Sequence, residues 1–216
     1  MKKAASRVFL ALGLGASFLL LYGIFLDSAS RPLTLLIWFF LSGAGLILSA
    51  KTRGVGMRVA LWWLYFEYLL ILFFFTLFDP FYGRSFTSIF TVTPARRAEY
   101  LEMNMNLIPF ETILLFLRGF MEGRVLLSSL IRNIFGNLLA FSPFGFFLGV
   151  LKPKMGHGGF LLRVFLCVFT VESLQLILMA GSFDTDDFIL NLLGAWLVFW
   201  AFRSAGGRKV AERLVG

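Results

Sequence analysis

Six apolar runs, each close to the thickness of a bilayer, restrict this chain to very few folds: residues 8–26, 33–50, 59–78, 133–151, 160–180 and 187–202. About 20 apolar residues at a rise of 1.5 Å cross a hydrocarbon core, and a helix satisfies its own backbone there. Charged residues are 15% of the chain and hydrophobic residues 59%, whereas a soluble domain is roughly a quarter charged. The sequence therefore predicts an all-α fold, a polytopic membrane helix bundle of about six transmembrane helices. A cleaved signal peptide is an alternative for the first run, because Ser28 and Ser30 place small residues after it. The length of the run and the topology below favour a retained span.

The formal net charge of +8 sits between the apolar runs rather than on a soluble face, so it argues for membrane topology and against a nucleic-acid partner. With the N-terminus in the cytoplasm, four groups share that side. They are Lys2, Lys3 and Arg7; Lys51, Arg53 and Arg58; Lys152, Lys154 and Arg163; and the tail with Arg203, Arg208, Lys209 and Arg213. Glu212 is the only acid among them. The expected protein is a multi-pass cell-membrane protein with both termini cytoplasmic. It divides into an N-terminal three-span segment (1–78), an external connection (79–132), a second three-span segment (133–203) and a basic tail (204–216). Cys167, the single cysteine, lies in an apolar run and reads as a buried small hydrophobe. His157 reads as a loop residue.

The external connection carries Asp79, Pro80 and Pro94, followed by a one-sided segment. Residues 109–121 read as helical with Pro109 in the first turn. Asn104, Glu111, Arg118 and Glu122 recur as a narrow polar stripe, and Phe110, Ile113, Leu114, Leu117 and Phe120 cover the rest. This predicts one amphipathic or re-entrant helix, packed over the outer mouth of a pocket, rather than a seventh span. Elsewhere, Ser42, Gly43, Gly45 and Ser49 allow close helix contact in the second run. Glu67 faces the bundle interior, either in a structural pairing or in a ligand or proton role. Asn133 and Asn137 lie one turn apart, ahead of Pro143 and Gly145, which predict a kink.

Ionisable groups concentrate between Glu172 and Gly194. An insertion cost of about 3 kcal/mol for a charge at the centre of a membrane helix means that such a group faces a cavity, a partner or a ligand. Glu172 falls about 12 Å below the end of the fifth span, Gln175 one turn above it, and Asn191 about 6 Å into the sixth span on the face of Asp187 and Gly194. With Asn133 and Asn137 at the same level, three helices bring polar groups toward one outward-opening pocket. Its carboxylates and amides, Glu172, Gln175, Asp184, Asp186, Asp187 and Asn191, are hard oxygen donors. They suit a cationic or hydroxyl-rich ligand, or Mg²⁺ or Ca²⁺ with Glu172, Asp184 and Asp187 as metal candidates; no cofactor is required. Alternatively, the aspartates form a solvated turn in which Asp184 or Asp187 caps the sixth span. No catalytic residue is assigned: Ser173 and Ser182 have no histidine nearby, and the D-x-D-D string found in some terpene cyclases has no companion motif.

Four motifs in order, N-L-I-P-F at 106–110, N-x-x-G-N with P-x-G at 133–145, E-x-x-Q at 172–175 and D-x-D-D-x-x-x-N-x-x-G at 184–194, resemble the VanZ-like family. The resemblance extends from Asn106 to about Trp200 and adds Asn106 to the candidate ligand-binding residues. It implies a small bacterial membrane protein of the cell envelope. The founding member is associated with resistance to the glycopeptide antibiotic teicoplanin, so a glycopeptide or other amphiphilic envelope molecule is the implied ligand, beside membrane lipids. The family often carries an arginine shortly before the acidic turn, where this chain has Gly181, Ser182 and Phe183. Three readings stand at this point: a binding protein, an enzyme acting on a lipid-linked envelope precursor, and a transporter.

Overall fold

A computed structural model describes residues 2–26, 31–52, 54–78 and 92–215. The helices are α1 (Lys2–Phe25), α2 (Pro32–Lys51), α3 (Met57–Leu77), α4 (Pro94–Met103), α5 (Glu111–Met121), α6 (Leu127–Ala140), α7 (Ser142–Leu151), α8 (His157–Ile177), α9 (Thr185–Arg203) and α10 (Ala205–Val215). Two-residue strands β1 (Met105–Asn106) and β2 (Phe183–Asp184) pair in parallel. Six helical stretches among the described residues are long and apolar enough to cross a membrane: α1, α2, α3, α6 with α7, α8 and α9. Ser28, Ser30, Arg53 and residues 79–91, with Asp79 and Pro80, lie outside the described residues.

Small side chains set how closely the first two helices approach. A Cβ on Gly45 would stand 2.5 Å from the backbone of Gly13, so α1 and α2 cross backbone to backbone. Hydroxyls tie the same seam, with Ser17 Oγ 2.8 Å from Ser42 Oγ and Ser6 Oγ 3.3 Å from Ser49 Oγ. Glu67 of α3, 0% exposed, closes the cluster: its Oε1 accepts from Ser42 Oγ at 3.0 Å and from Trp63 Nε1 at 2.7 Å. These bonds engage one carboxylate oxygen, and Glu67 Oε2 is buried with no partner among the described residues.

The second half is organised around α9, which packs on α6, α7 and α8. Its tightest crossing is at Gly194, where a Cβ would come within 1.7 Å of the Leu138 carbonyl oxygen. That carbonyl belongs to a broken helix. Pro143, in the first turn of α7, cannot supply an N–H, and the ladder is interrupted between α6 and α7 at Phe141. The freed carbonyls find side chains: Ser142 Oγ donates to Leu138 O at 2.8 Å and Tyr68 Oη of α3 to Ala140 O at 2.8 Å. The kink thus becomes a joint between α3 and the second half. An aromatic and aliphatic core fills the centre, with Phe141, Phe160, Phe199, Val164 and Val168 at or near zero exposure.

Several expected boundaries move. The fourth span begins at Leu127 rather than residue 133, because the polar residues Ser128, Ser129 and Arg132 occupy its first two turns and remain helical. The helix expected over 109–121 begins at Glu111, with Pro109 outside it. The basic tail is the helix α10. Its Ala211 is buried and its Val215 packs on the main core, while Arg208, Lys209 and Arg213 occupy its polar side.

Candidate functional site

The acidic turn is built from two distant segments. β1 and β2 align Met105 with Phe183 and Asn106 with Asp184. Phe183 N donates to Asn104 O at 2.8 Å, and Tyr100 Oη of α4 donates to Gly181 O at 2.6 Å. From this short ladder a chain of side-chain bonds follows. Asn106 accepts from Ile108 N at 3.0 Å and donates to Thr112 Oγ1 at 2.9 Å; Thr112 Oγ1 donates to Asp184 Oδ2 at 2.5 Å. Asp184 Oδ1 accepts from Asp186 N at 2.8 Å and caps α9. Thr185 Oγ1 donates to Asn106 O at 3.2 Å.

Asp186, 0% exposed, turns the other way and caps a second helix. Its Oδ2 accepts from Ile113 N at 2.9 Å and its Oδ1 from Phe110 N. These N–H groups belong to the start of α5, where a helix has no internal acceptors and its dipole favours an anion. Phe110 holds φ 67°, a left-handed conformation rarely adopted by a bulky residue, and the bond to Asp186 secures it there. Asn106, Asp184 and Asp186, all candidate ligand residues by sequence, therefore bind the α5 segment to α9.

Five of the six remaining candidates face a cavity of about 630 Å³ between α2, α3, α6, α8 and α9, within the usual range for a drug-sized ligand. Asn137, Glu172, Gln175, Asp187 and Asn191 all line it. Gln175 Nε2 donates across to Thr76 O of α3 at 3.0 Å, and Asn137 Nδ2 donates to Asp187 Oδ1. Asn191 is 3% exposed, and its Oδ1 has no hydrogen-bond partner among the described residues. Aromatic and aliphatic side chains supply much of the rest of the wall: Leu36, Phe39 and Phe40 of α2, Tyr68, Ile71, Leu72 and Phe75 of α3. Arg132 and Ser182 also border it.

Asn133 is not part of this wall; it is half-buried, and its Oδ1 has no partner among the described residues. No residue of 106–121 lines the cavity either, so the α5 segment stands on the acidic turn rather than among the cavity residues. Asp184 is likewise absent from the lining, which separates it from Glu172 and Asp187, the other two metal candidates. Among the described residues no three His, Cys, Asp or Glu side chains group as a metal site. Sequence reasoning missed Thr112, Thr185, Tyr100 and Tyr68, whose bonds cross tens of residues. It also missed Arg132, which lies one turn before Gly136, and both border the cavity.

A six-span helix bundle holding an amphiphilic cavity near one end defines the class: a small polytopic membrane protein. Its sequence matches the model of the VanZ/LLP1 family over residues 62–206, more than half of the chain, and it belongs to that family. No curated protein and no solved structure matches the chain.

Proposed function

We propose that this VanZ/LLP1 protein binds an amphiphilic molecule of the bacterial cell envelope in the cavity between α2, α3, α6, α8 and α9, with a role of the resistance type. The observation that carries this reading is the mixed wall. Polar groups of Asn137, Glu172, Gln175, Asp187 and Asn191 gather against the aromatic and aliphatic side chains of α2 and α3. A polar head finds carboxylate and amide acceptors at one end, and a chain or ring finds Phe39, Phe40, Ile71 and Phe75. An amide at this depth whose carbonyl lacks a protein partner is costly unless a ligand or solvent group meets it, and Asn191 is such a group. The volume suits one head group with part of a chain; a glycopeptide antibiotic would enter by a substituent only.

In the proposed orientation both termini are cytoplasmic and the acidic turn faces outward, supported by the basic residues at the other end of α8 and by the tail. Cysteine labelling tests it: a thiol at Ser182 reacts with an impermeant reagent on intact cells and one at Lys154 does not. Labelling at 154 alone reverses the topology. For the ligand, mass spectrometry of gently extracted protein is expected to find a discrete co-purified amphiphile in stoichiometric amount. Bulk membrane lipid in its natural proportions, with nothing enriched, would contradict the reading.

A further inference from the structure

A second concavity, of about 660 Å³, lies at the opposite end of α8 and is independent of the function proposed above. Four cations from three parts of the chain line it: Arg58 at the start of α3, Lys152 and Lys154 in the α7–α8 loop, and Arg163 in the second turn of α8. None of the four forms a salt bridge with a carboxylate among the described residues. Three are held in place by uncharged partners. Arg58 Nη2 donates to Leu151 O at 3.3 Å, Arg163 Nη1 donates to Gly159 O at 2.7 Å, and Lys152 Nζ stands 5.1 Å from the centre of the Trp62 ring. Each keeps further N–H donors to offer.

The backbone adds to this field. The helix α8 starts after Gly156 with no side-chain cap, and Gly156 and Gly159 line the concavity, which sets the positive end of the helix dipole beside it. Basic residues that only mark membrane topology need not converge; here four surround one space, and like charges so placed call for a counter-anion. The neighbouring surface is apolar and exposed, with Val59, Trp62 and Leu162 on the flanking helices. Such a surface on membrane-spanning helices meets acyl chains, which sets the concavity at the depth of head groups.

We infer that this concavity is a phosphate-binding site, occupied by the head group of an anionic phospholipid in the adjoining leaflet. Native mass spectrometry of the full chain in neutral detergent tests it by titration with phosphatidylglycerol, phosphatidylcholine and inorganic pyrophosphate in parallel. Phosphatidylglycerol is expected to bind at least several-fold more tightly than phosphatidylcholine. The K154E/R163E variant, which leaves the Arg58 and Lys152 contacts intact, is expected to weaken it roughly tenfold or more. A control with R208Q, K209Q and R213Q on α10 is expected to change it far less, and all variants are compared at equal melting temperature. Pyrophosphate binding that K154E/R163E abolishes would support the phosphate site with a soluble anion as its source. Three results overturn the inference: no anion binds, both lipids bind alike, or the α10 variant loses as much as K154E/R163E.

Discussion

The two halves of the bundle both bury polar side chains between membrane helices, but they complete them differently. Around Glu67, the serine hydroxyls and the Trp63 indole N–H lie against one another across α1, α2 and α3, with Glu67 Oε1 accepting two bonds and its Oε2 buried without a partner among the described residues. Around α9, one acidic string divides within four residues. Asp184 and Asp186 have both oxygens engaged by the α5 segment and by α9, whereas Asp187 and Asn191 line a cavity with Glu172 and Gln175. Membrane depth alone does not separate the two groups. What differs is that Asp187 and Glu172 line a cavity and Glu67 does not.

Substitutions separate the two uses, and the largest effect is expected at Asp186. Asp186→Ala strands the Phe110 and Ile113 N–H groups at the start of α5 and removes the support for a left-handed phenylalanine. It is expected to cost roughly 3–5 kcal/mol. Thermal melting in detergent measures this, with limited proteolysis expected to cut first between α4 and α6. Gly194→Ala comes next: a methyl 1.7 Å from the Leu138 carbonyl forces α6 and α9 apart. A loss of about 1–3 kcal/mol is expected, together with lost ligand retention because the cavity wall moves. Glu67→Gln keeps an acceptor for Ser42 and Trp63 and is expected to change stability by about 1 kcal/mol or less, with ligand retention at the wild-type level. A loss of retention in Glu67→Gln without a loss of stability would erase the contrast between the two regions.

Much of the fold was legible because membrane helices announce themselves by length and composition. The kink was legible too, since Pro143 removes a donor wherever the helix runs. The α5 segment was harder to read. Its polar stripe at Glu111 and Arg118 pointed to an amphipathic helix, but what holds that helix is Asp186, 73 residues from its Ile113 partner, and a capping carboxylate supplied from another helix leaves no local spacing pattern. For the same reason three aspartates in one turn looked alike in the sequence, although two of them cap helices and the third lines the cavity. The basic tail carried no structural expectation, because its charges drew attention from Ala211 and Val215, whose spacing of four places them on one helical face. The candidate cavity residues on α8 and α9 followed from depth alone, while the α2 and α3 wall, Phe39 to Phe75, carries no motif that marks it.

Asn191→Leu has the smallest expected effect on stability and the most direct bearing on whether the cavity is a binding site. Replacing a buried amide by an apolar side chain is expected to leave the melting temperature unchanged or slightly raised. The decisive measurement is the molar ratio of co-purified amphiphile to folded protein, by mass spectrometry, for wild type and Asn191→Leu matched in melting temperature. Wild type is expected to retain the amphiphile near stoichiometry and Asn191→Leu to lose most of it. Equal retention by the two proteins would contradict a ligand-binding role for the cavity.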